Sequence, residues 1–133
     1  MKIIVTGATG FIGRALCGEL AVHNHSVNVL SRTPEWARKR LPFVAQVFPW
    51  DCMAGPTPTE AMRGVEAVVN LAGESVRGGW TTSKKRRIRN SRVVGTRNLV
   101  EAFRTMDPNP PWILVSGSGV GLYGDRGDEE LTE

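Results

Sequence analysis

Short apolar runs alternate with segments of helical periodicity along most of the chain. Residues 2–5 form an apolar run of the kind produced by a strand that is buried on both faces. Apolar residues at helical spacing then predict a helix over residues 11–22, which ends near Asn24, a residue that tolerates left-handed backbone. Three residues carry that spacing: Ile12, Leu16 and Leu20. Residues 26–30 are the second predicted strand.

The rest of the chain continues this alternation. Further strands are predicted over residues 44–48, 65–73 and 112–115. Further helices are predicted over residues 34–40, 59–63 and 80–103, with Thr33 and Pro34 as the start of the first and Gly64 as the end of the second. Strands that alternate with helices imply parallel pairing with right-handed crossovers. We therefore predict an α/β fold, a Rossmann-type doubly wound parallel sheet of about five strands in a three-layer α/β/α domain over residues 1–133.

The long predicted helix has an apolar face and a basic half. The apolar positions are Ile88, Val93, Val94, Leu99, Val100 and Phe103. The basic positions are Lys84, Lys85, Arg86, Arg87 and Arg89, which we interpret as mainly a solvated face. Arg92 differs because it stands beside Val93 in the apolar half. An arginine that points towards the sheet needs an anion there.

A glycine-rich turn separates the first predicted strand from the first helix. Gly7, Gly10 and Gly13 have the spacing GxxGxxG, not the commoner GxGxxG. A side chain at Gly7 would obstruct the turn, one at Gly10 would hold phosphates away from the backbone, and one at Gly13 would push the helix off the strand. The helix start offers N–H groups and a positive dipole end to an anion. The pattern predicts a pyrophosphate site, and the alternative is a plain tight turn.

The residues that end the second strand indicate which dinucleotide binds. NAD-preferring folds place Asp or Glu here to hold a ribose hydroxyl, whereas this chain has Ser31 and Arg32. A carboxylate would repel a 2′-phosphate, and a guanidinium would bind it as a fork. NADP is therefore favoured over NAD, and Arg14 could add a second positive contact. The alternative is that Arg32 is a solvated loop arginine.

Composition suits one globular domain with a core, since 41% of the 133 residues are hydrophobic and 23% are charged. No apolar run is long enough for a membrane span, and the chain enters a strand at once, so we expect no membrane segment and no targeting peptide. Cys17 and Cys52 lack motif spacing, which favours reduced thiols in the cytoplasm, with Cys17 in the core. His23 and His25 lack partner ligands, so no metal is expected.

The formal net charge is +4 and the pI is about 9.6, which raises the possibility of nucleic-acid binding. The positive charge is concentrated over residues 84–97, and no interleaved aromatic residues accompany it. A basic rim around an anionic cofactor explains the charge at least as well. The sequence leaves open whether the chain forms a homodimer.

Several pieces of the chain, taken in order, resemble the extended short-chain dehydrogenase/reductase superfamily. Within it the chain is similar to an atypical NAD(P)-binding group called the epimerase family, some of whose members carry the label of cell-division inhibitor. The matching pieces lie at residues 6–13, 69–74, 91–99, 116–118 and 122–125, together with Trp80. Extended members usually have Asn where Arg92 stands, and Arg is typical of the atypical group.

The resemblance implies that Ser31, Arg32, Leu71, Ala72 and Arg92 touch NADP. The predicted cofactor-binding residues are Gly7, Thr9, Gly10, Phe11, Ile12, Gly13, Arg14, Ser31, Arg32, Leu71, Ala72, Gly73, Arg92 and Ser116. The superfamily's reaction also uses a Ser, a Tyr and a Lys, and Ser118 matches the Ser.

The Tyr-x-x-x-Lys pair of the superfamily is not found in these residues. The single tyrosine, Tyr123, is followed four positions later by Gly127, which cannot replace the lysine. In the superfamily the pair and most of the substrate-binding region fall beyond Glu133, so the resemblance implies an amino-terminal portion of a longer protein. The predicted function is the cofactor domain of an NADP-dependent oxidoreductase or epimerase acting on an unknown small molecule. The alternative is a non-catalytic NADP-binding regulator.

Overall fold

The computed structural model describes residues 1–105, 113–119 and 123–132. Strands and helices alternate along these residues. The strands are β1 (Lys2–Thr6), β2 (Ser26–Ser31), β3 (Gln46–Pro49), β4 (Ala67–Asn70) and β5 (Ile113–Ser116). The helices are α1 (Phe11–Val22), α2 (Pro34–Arg40), α3 (Thr59–Met62) and α4 (Thr82–Arg104). The predicted order of elements is confirmed, with bounds that differ by a few residues; β3 begins two residues later than predicted, and Trp112 lies outside the described residues.

The sheet has the strand order β3-β2-β1-β4-β5, and every pairing is parallel. The chain first builds outward from β1 through β2 to β3, then returns to the other side of β1. Thr6 is in register with Leu30 on one side and with Asn70 on the other, so three strands end level. A reversal of strand order opens a crevice at the carboxyl ends of the strands. The predicted Rossmann-type sheet is confirmed.

Apolar clusters cover the two faces of the sheet. Ile3 and Val5 pack into one cluster, together with Cys17 of α1 and Ala37 of α2. Ile4 packs into the other, whose members also come from the two remaining helices: Ala61, Met62, Leu99 and Phe103. Successive side chains of β1 therefore enter opposite cores, as a strand buried between two helical layers requires. The prediction that Cys17 belongs to the core is confirmed.

Turn chemistry explains where several elements begin and end. Asn24, just after α1, has φ of 60°, and Gly64, just after α3, has φ of 67°. Both are the left-handed positions that stop a helix, as the sequence predicted. The Thr81 hydroxyl accepts a hydrogen bond from the Lys84 backbone N–H, so α4 begins at Thr82 rather than at Trp80.

The buried face of α4 differs from the predicted one. The buried residues are Ser91, Gly95, Leu99 and Phe103, at i, i+4 spacing. Val93 and Val100 are exposed, so their assignment to the apolar face was wrong. Ile12 of α1 is also exposed, and Gly13 and Cys17 are buried there instead. The small members of these stripes, Gly13 and Gly95, let the helix backbones approach their neighbours closely.

Strand β5 is the edge of the sheet beside β4, and its side chains are exposed. Ile113 and Val115 keep 53% and 51% of their surface, although both are as apolar as the buried residues of β1. No helix in the described part combines the length and hydropathy that crossing a bilayer requires.

Candidate functional site

The loop between β1 and α1 turns at Gly7, where φ is 67°. A Cβ atom at this position would lie 2.6 Å from the Leu71 carbonyl carbon and oxygen and 2.8 Å from the Ala72 nitrogen. The loop is therefore pressed against the backbone that leaves β4, and glycine fits both the conformation and the space. The prediction that a side chain at Gly7 would obstruct the turn is confirmed.

The other two glycines of the loop differ in how much room they leave. A Cβ on Gly13 would lie 2.3 Å from the Gly7 carbonyl oxygen and 2.7 Å from the Ala8 Cα, so α1 rests directly on the loop. A side chain would push the helix away, as predicted, although it would meet the loop rather than β1. Gly10 is exposed, and its added Cβ would have the Gly7 carbonyl oxygen at 3.2 Å as its nearest neighbour.

The first turn of α1 presents backbone N–H groups at the loop. The first hydrogen bond of the helix runs from the Arg14 N–H to the Gly10 carbonyl, at 3.0 Å. The N–H groups of Phe11, Ile12 and Gly13 precede that bond, and Gly10 at the N-cap has no side chain to offer them. Phe11 is 93% exposed, so this turn faces outward and is open to an anion.

A buried polar network holds the exit of β4 beside the glycine loop. The Thr6 hydroxyl donates to Asn70 Oδ1 at 2.7 Å and accepts from the Ala72 backbone N–H at 3.1 Å. Asn70 Nδ2 in turn donates to the Thr96 hydroxyl on α4, at 3.0 Å. Because Leu71 and Ala72 follow directly, this network sets how close their backbone comes to Gly7.

A cleft of about 590 Å³ opens at the carboxyl ends of the strands. Eight predicted site residues line it: Gly7, Thr9, Gly10, Ser31, Arg32, Leu71, Ala72 and Gly73. Residues that the sequence analysis did not assign to a site also line it: Ala8, Val29, Leu30, Thr33, Trp36, Trp50, Cys52, Met53, Glu74 and Ser91. The remaining predicted residues lie outside the lining: Phe11, Ile12, Gly13, Arg14, Arg92, Ser116 and Ser118.

Arg32 lies on one lip of the cleft, where β2 ends, and is exposed. The Ser31 hydroxyl accepts a hydrogen bond from the Thr33 backbone N–H at 3.2 Å, which fixes the turn that carries Arg32. The Trp50 backbone N–H donates to the Ser31 carbonyl at 2.9 Å. This hydrogen bond places the connection after β3, which forms the next wall of the cleft, beside the end of β2. Burial raises the pKa of the Cys52 thiol in that wall, Asp51 adds to the rise, and the charge of Arg32 opposes it.

Glu74 lies on the other lip, just beyond β4, and its carboxylate is paired. Lys84 Nζ donates to Glu74 Oε1 at 2.7 Å, and Arg87 Nε lies 3.8 Å from the same oxygen. The hydrogen bond from Lys84 lowers the pKa of Glu74, and the charges of Arg87 and Arg32 act in the same direction. Lys84 keeps only 15% of its side-chain surface, so it does not belong to the solvated face that the charge run predicted.

Arg92 is exposed rather than buried against the sheet, which corrects the expectation that it points inward to an anion. Its Nη1 donates to the backbone carbonyls of Ile88 and Glu74, at 3.1 and 3.3 Å. A Cβ on Gly73 would lie 3.2 Å from the guanidinium carbon. Arg92 thus covers the outer side of the β4 exit, with carbonyl oxygens where an anion was expected.

Ser116 and Ser118 lie at the end of β5, beyond the cleft lining. Ser116 is in register with Asn70, and the Gly117 N–H donates to the Asn70 carbonyl at 2.9 Å. Both serines are exposed, as is Tyr123. This segment borders the β4 exit on the side away from the glycine loop.

Sequence reasoning did not bring together the aromatic and sulfur-containing wall of the cleft and the network behind it. Trp36, Trp50, Cys52 and Met53 come from two separate connections, so no local spacing links them. Thr6 and Asn70 did carry a signal, because each is a polar residue at the end of an otherwise apolar strand. Buried polar groups of this kind require partners, which places them near one another.

The comparisons with known proteins agree with this geometry. A profile of the "NAD dependent epimerase/dehydratase family" matches residues 3–133. The epimerase family protein YfhF of Bacillus subtilis is 33% identical over 134 aligned residues, covering 100% of this chain and 42% of that protein. The chloroplastic SDR39U1 homologue of Arabidopsis thaliana is 37% identical, covering 93% of this chain and 36% of that protein. The chain thus spans about two-fifths of the length of these relatives.

Solved structures share the fold. The crystal structure of human epimerase family protein SDR39U1 with NADPH is 33% identical, with a TM-score of 0.64, covering 88% of this chain and 37% of that one. UDP-glucuronic acid 4-epimerase of Bacillus cereus, solved with NAD, has a TM-score of 0.79 at 23% identity and covers all of this chain and 44% of that one. The family profile, the relatives and the site agree: this chain belongs to the NAD dependent epimerase/dehydratase family.

Proposed function

We propose that the cleft binds a nicotinamide dinucleotide, with its pyrophosphate at the glycine loop. One observation carries this proposal: Gly7 and Gly13 pack the loop against the β4 exit and α1, while Gly10 lines the cleft and Phe11, which follows it, is exposed. Backbone N–H groups and the positive helix end then meet two phosphates without interference from side chains. Family membership and an NADPH-bound relative support the same reading.

We propose NADP as the preferred dinucleotide. Arg32 follows β2 on the lip of the cleft, at the position where NAD-preferring folds carry a carboxylate. A guanidinium matches a 2′-phosphate with two parallel hydrogen bonds and cannot lose its charge. The human relative was solved with NADPH, whereas an epimerase of 23% identity was solved with NAD. Arg32 therefore supplies the argument that the cleft accepts the 2′-phosphate of NADP.

The two ends of the cleft suit the two halves of the dinucleotide. The wall formed by Trp36, Trp50, Cys52 and Met53 lies next to Arg32 and would hold the adenosine half. Leu71, Ala72, Gly73 and Glu74 lie on the other side of the glycine loop and would border the nicotinamide half. When bound, the nicotinamide supplies hydride chemistry. The chain's own residues bind, orient and shield that ring.

The whole protein is proposed to be an oxidoreductase or epimerase, with Ser118 near the reacting centre. A non-catalytic, NADP-binding regulator is the second candidate, because Ser118 lies outside the cleft lining. Turnover of NADPH with candidate carbonyl substrates would separate the two. Binding without turnover by the full protein would favour the regulator.

Free thiols at Cys17 and Cys52 support a reducing, cytoplasmic setting.

The test of the cofactor assignment is calorimetric titration of Arg32→Ala with NADPH and with NADH. We expect NADPH affinity to fall by about 10- to 100-fold and NADH affinity by less than about threefold, because a charged hydrogen-bonded pair contributes roughly 1.5–3 kcal/mol. Arg63→Ala is the matched control, since it removes the same charge from the loop after α3, before β4 begins. Equal losses for both dinucleotides would contradict the preference for NADP.

A further inference from the structure

Asn98 joins α4 to the connection between β3 and α3. Its Nδ2 donates to the Cys52 carbonyl at 2.9 Å and to the Gly55 carbonyl at 3.1 Å. The Thr57 hydroxyl donates back to the Asn98 carbonyl, at 3.1 Å. One amide group therefore satisfies two carbonyls of a connection that is more than 40 residues away in sequence. A loop without its own ladder of hydrogen bonds depends on such partners for its position.

Gly95 lets the same connection lie directly on the helix. A Cβ at this position would lie 3.0 Å from Cys52 Cβ and 3.2 Å from Cys52 Sγ. The Cys52 thiol also points at the Ser91 carbonyl, with 3.8 Å between Sγ and O. Cys52 is thus held at two points. Its carbonyl oxygen accepts a hydrogen bond from Asn98, and its side chain rests on the turn from Ser91 to Gly95.

The other side of this connection forms a wall of the cleft. Trp50, Cys52 and Met53 line the cleft next to Arg32. The Met53 N–H donates to Asp51 Oδ1 at 3.0 Å, and this hydrogen bond shapes the turn. Asn98 then anchors the turn to α4. We propose that Asn98 is a positioning residue for the adenosine half of the dinucleotide. This inference rests on the proposed function, because it names the half of the ligand that this wall receives.

A purely structural role would show itself differently from a positioning role. If Asn98 merely stabilised the whole domain, its loss would expose every buried group through global unfolding. If it positions the wall, its loss frees Cys52 while the rest of the core stays closed. Cys17 is fully buried on the opposite face of the sheet and reports global opening, so the chain carries its own reference thiol.

The first experiment measures alkylation of Cys52 and Cys17 separately, by mass spectrometry, in Asn98→Asp and Asn98→Ala. Asn98→Asp keeps the shape and removes both donors. We expect Cys52 to react about tenfold faster relative to Cys17 than in the unmodified chain. Leu20→Ala, which trims a partly buried residue packed in the other core, is the control and should not speed Cys52 relative to Cys17. A parallel rise in Asn98→Asp would overturn the proposal.

The second experiment titrates the same variants with NADPH, NADH and adenosine 2′,5′-bisphosphate. We expect about tenfold weaker binding of all three, with the NADPH-to-NADH ratio unchanged, because the wall meets adenosine and not the 2′-phosphate. Asn98→Gln, which restores an amide, should recover part of the affinity and remains a folded alternative if Asn98→Asp does not fold. Unchanged affinities in a folded Asn98 variant would overturn the inference alone. Failure of the unmodified chain to bind NADPH would instead overturn the proposed function.

Discussion

The three glycines of the first loop have different physical roles, although the sequence motif presents them as equivalents. Gly7 needs both a left-handed backbone and the space taken by the Leu71 carbonyl. Gly13 needs only space, under the Gly7 carbonyl. Gly10 has an ordinary extended backbone, with φ of −74°, and is exposed, and an added Cβ would make a single close contact, 3.2 Å from the Gly7 carbonyl oxygen. Its lack of a side chain therefore matters for a ligand more than for the fold.

Substitution separates these roles. We expect Gly13→Ala to lower the free energy of unfolding in urea by about 1–3 kcal/mol, because the added methyl would lie 2.3 Å from a backbone oxygen. Gly10→Val should change that free energy by less than about 1 kcal/mol while abolishing NADPH binding in a titration. The reverse pattern, a stable Gly13→Ala or a Gly10→Val that still binds NADPH, would contradict these roles.

The charge state of Glu74 predicts how the stability of the fold depends on pH. Because Lys84 lowers the pKa of Glu74 below the ordinary value of 4.5, the unfolded chain takes up this proton before the folded chain does. The ion pair therefore stabilises the fold above about pH 4.5 and loses that effect as the pH falls through the lowered pKa. Glu74→Gln should be less stable than the unmodified chain at pH 7, and the difference should vanish at low pH. A difference that persists unchanged at pH 2 would exclude this explanation.

At the scale of elements, the exit of β4 is held by three side chains, one from β1 and two from α4. Thr6 of β1 bonds it from one side, α4 bonds it through Thr96, and Ser91 Oγ accepts from the Glu74 N–H at 2.9 Å. The strand itself has only four residues, so these side chains fix the backbone after its ladder ends. These hydrogen bonds hold the cleft wall from Leu71 to Gly73 in its position.

Thr6→Val tests this anchoring. The change preserves shape but leaves Asn70 Oδ1 and the Ala72 backbone N–H without the hydroxyl, and each unsatisfied buried group costs about 1–3 kcal/mol. We expect the urea midpoint to fall with an unchanged slope, and NADPH affinity to fall with it. Thr6→Ser keeps the hydroxyl and is the control. A Thr6→Val protein as stable as Thr6→Ser would show that the network contributes little.

Elements and loop were predictable because their signals are local. Apolar spacing, the glycine triplet and the helix stop at Asn24 each depend on a few neighbouring residues. Arg92 was misjudged because Val93 and Val94 follow it in sequence, whereas its guanidinium donates to two carbonyls, one of them in the connection after β4. The partners of Thr6 and Asn98 lie 41 to 66 residues away, and no local pattern encodes such pairings.

At the scale of the whole molecule, the sheet brings distant residues to one edge. Residues from the first, second and fourth strands end level there, which sets Gly7, Arg32 and Leu71 around a single cleft. The apolar edge at β5 is exposed in a chain that spans about two-fifths of its relatives. The proposed dinucleotide site is built from residues at the carboxyl ends of β1, β2 and β4.

A crystal structure of the chain soaked with NADPH would show where the dinucleotide lies. We expect the pyrophosphate over Gly10 and the first turn of α1, and the 2′-phosphate within hydrogen-bonding distance of the Arg32 guanidinium. The adenine should lie against the wall that contains Cys52 and Met53. A nucleotide bound elsewhere, or bound here with its 2′-phosphate away from Arg32, would contradict the account.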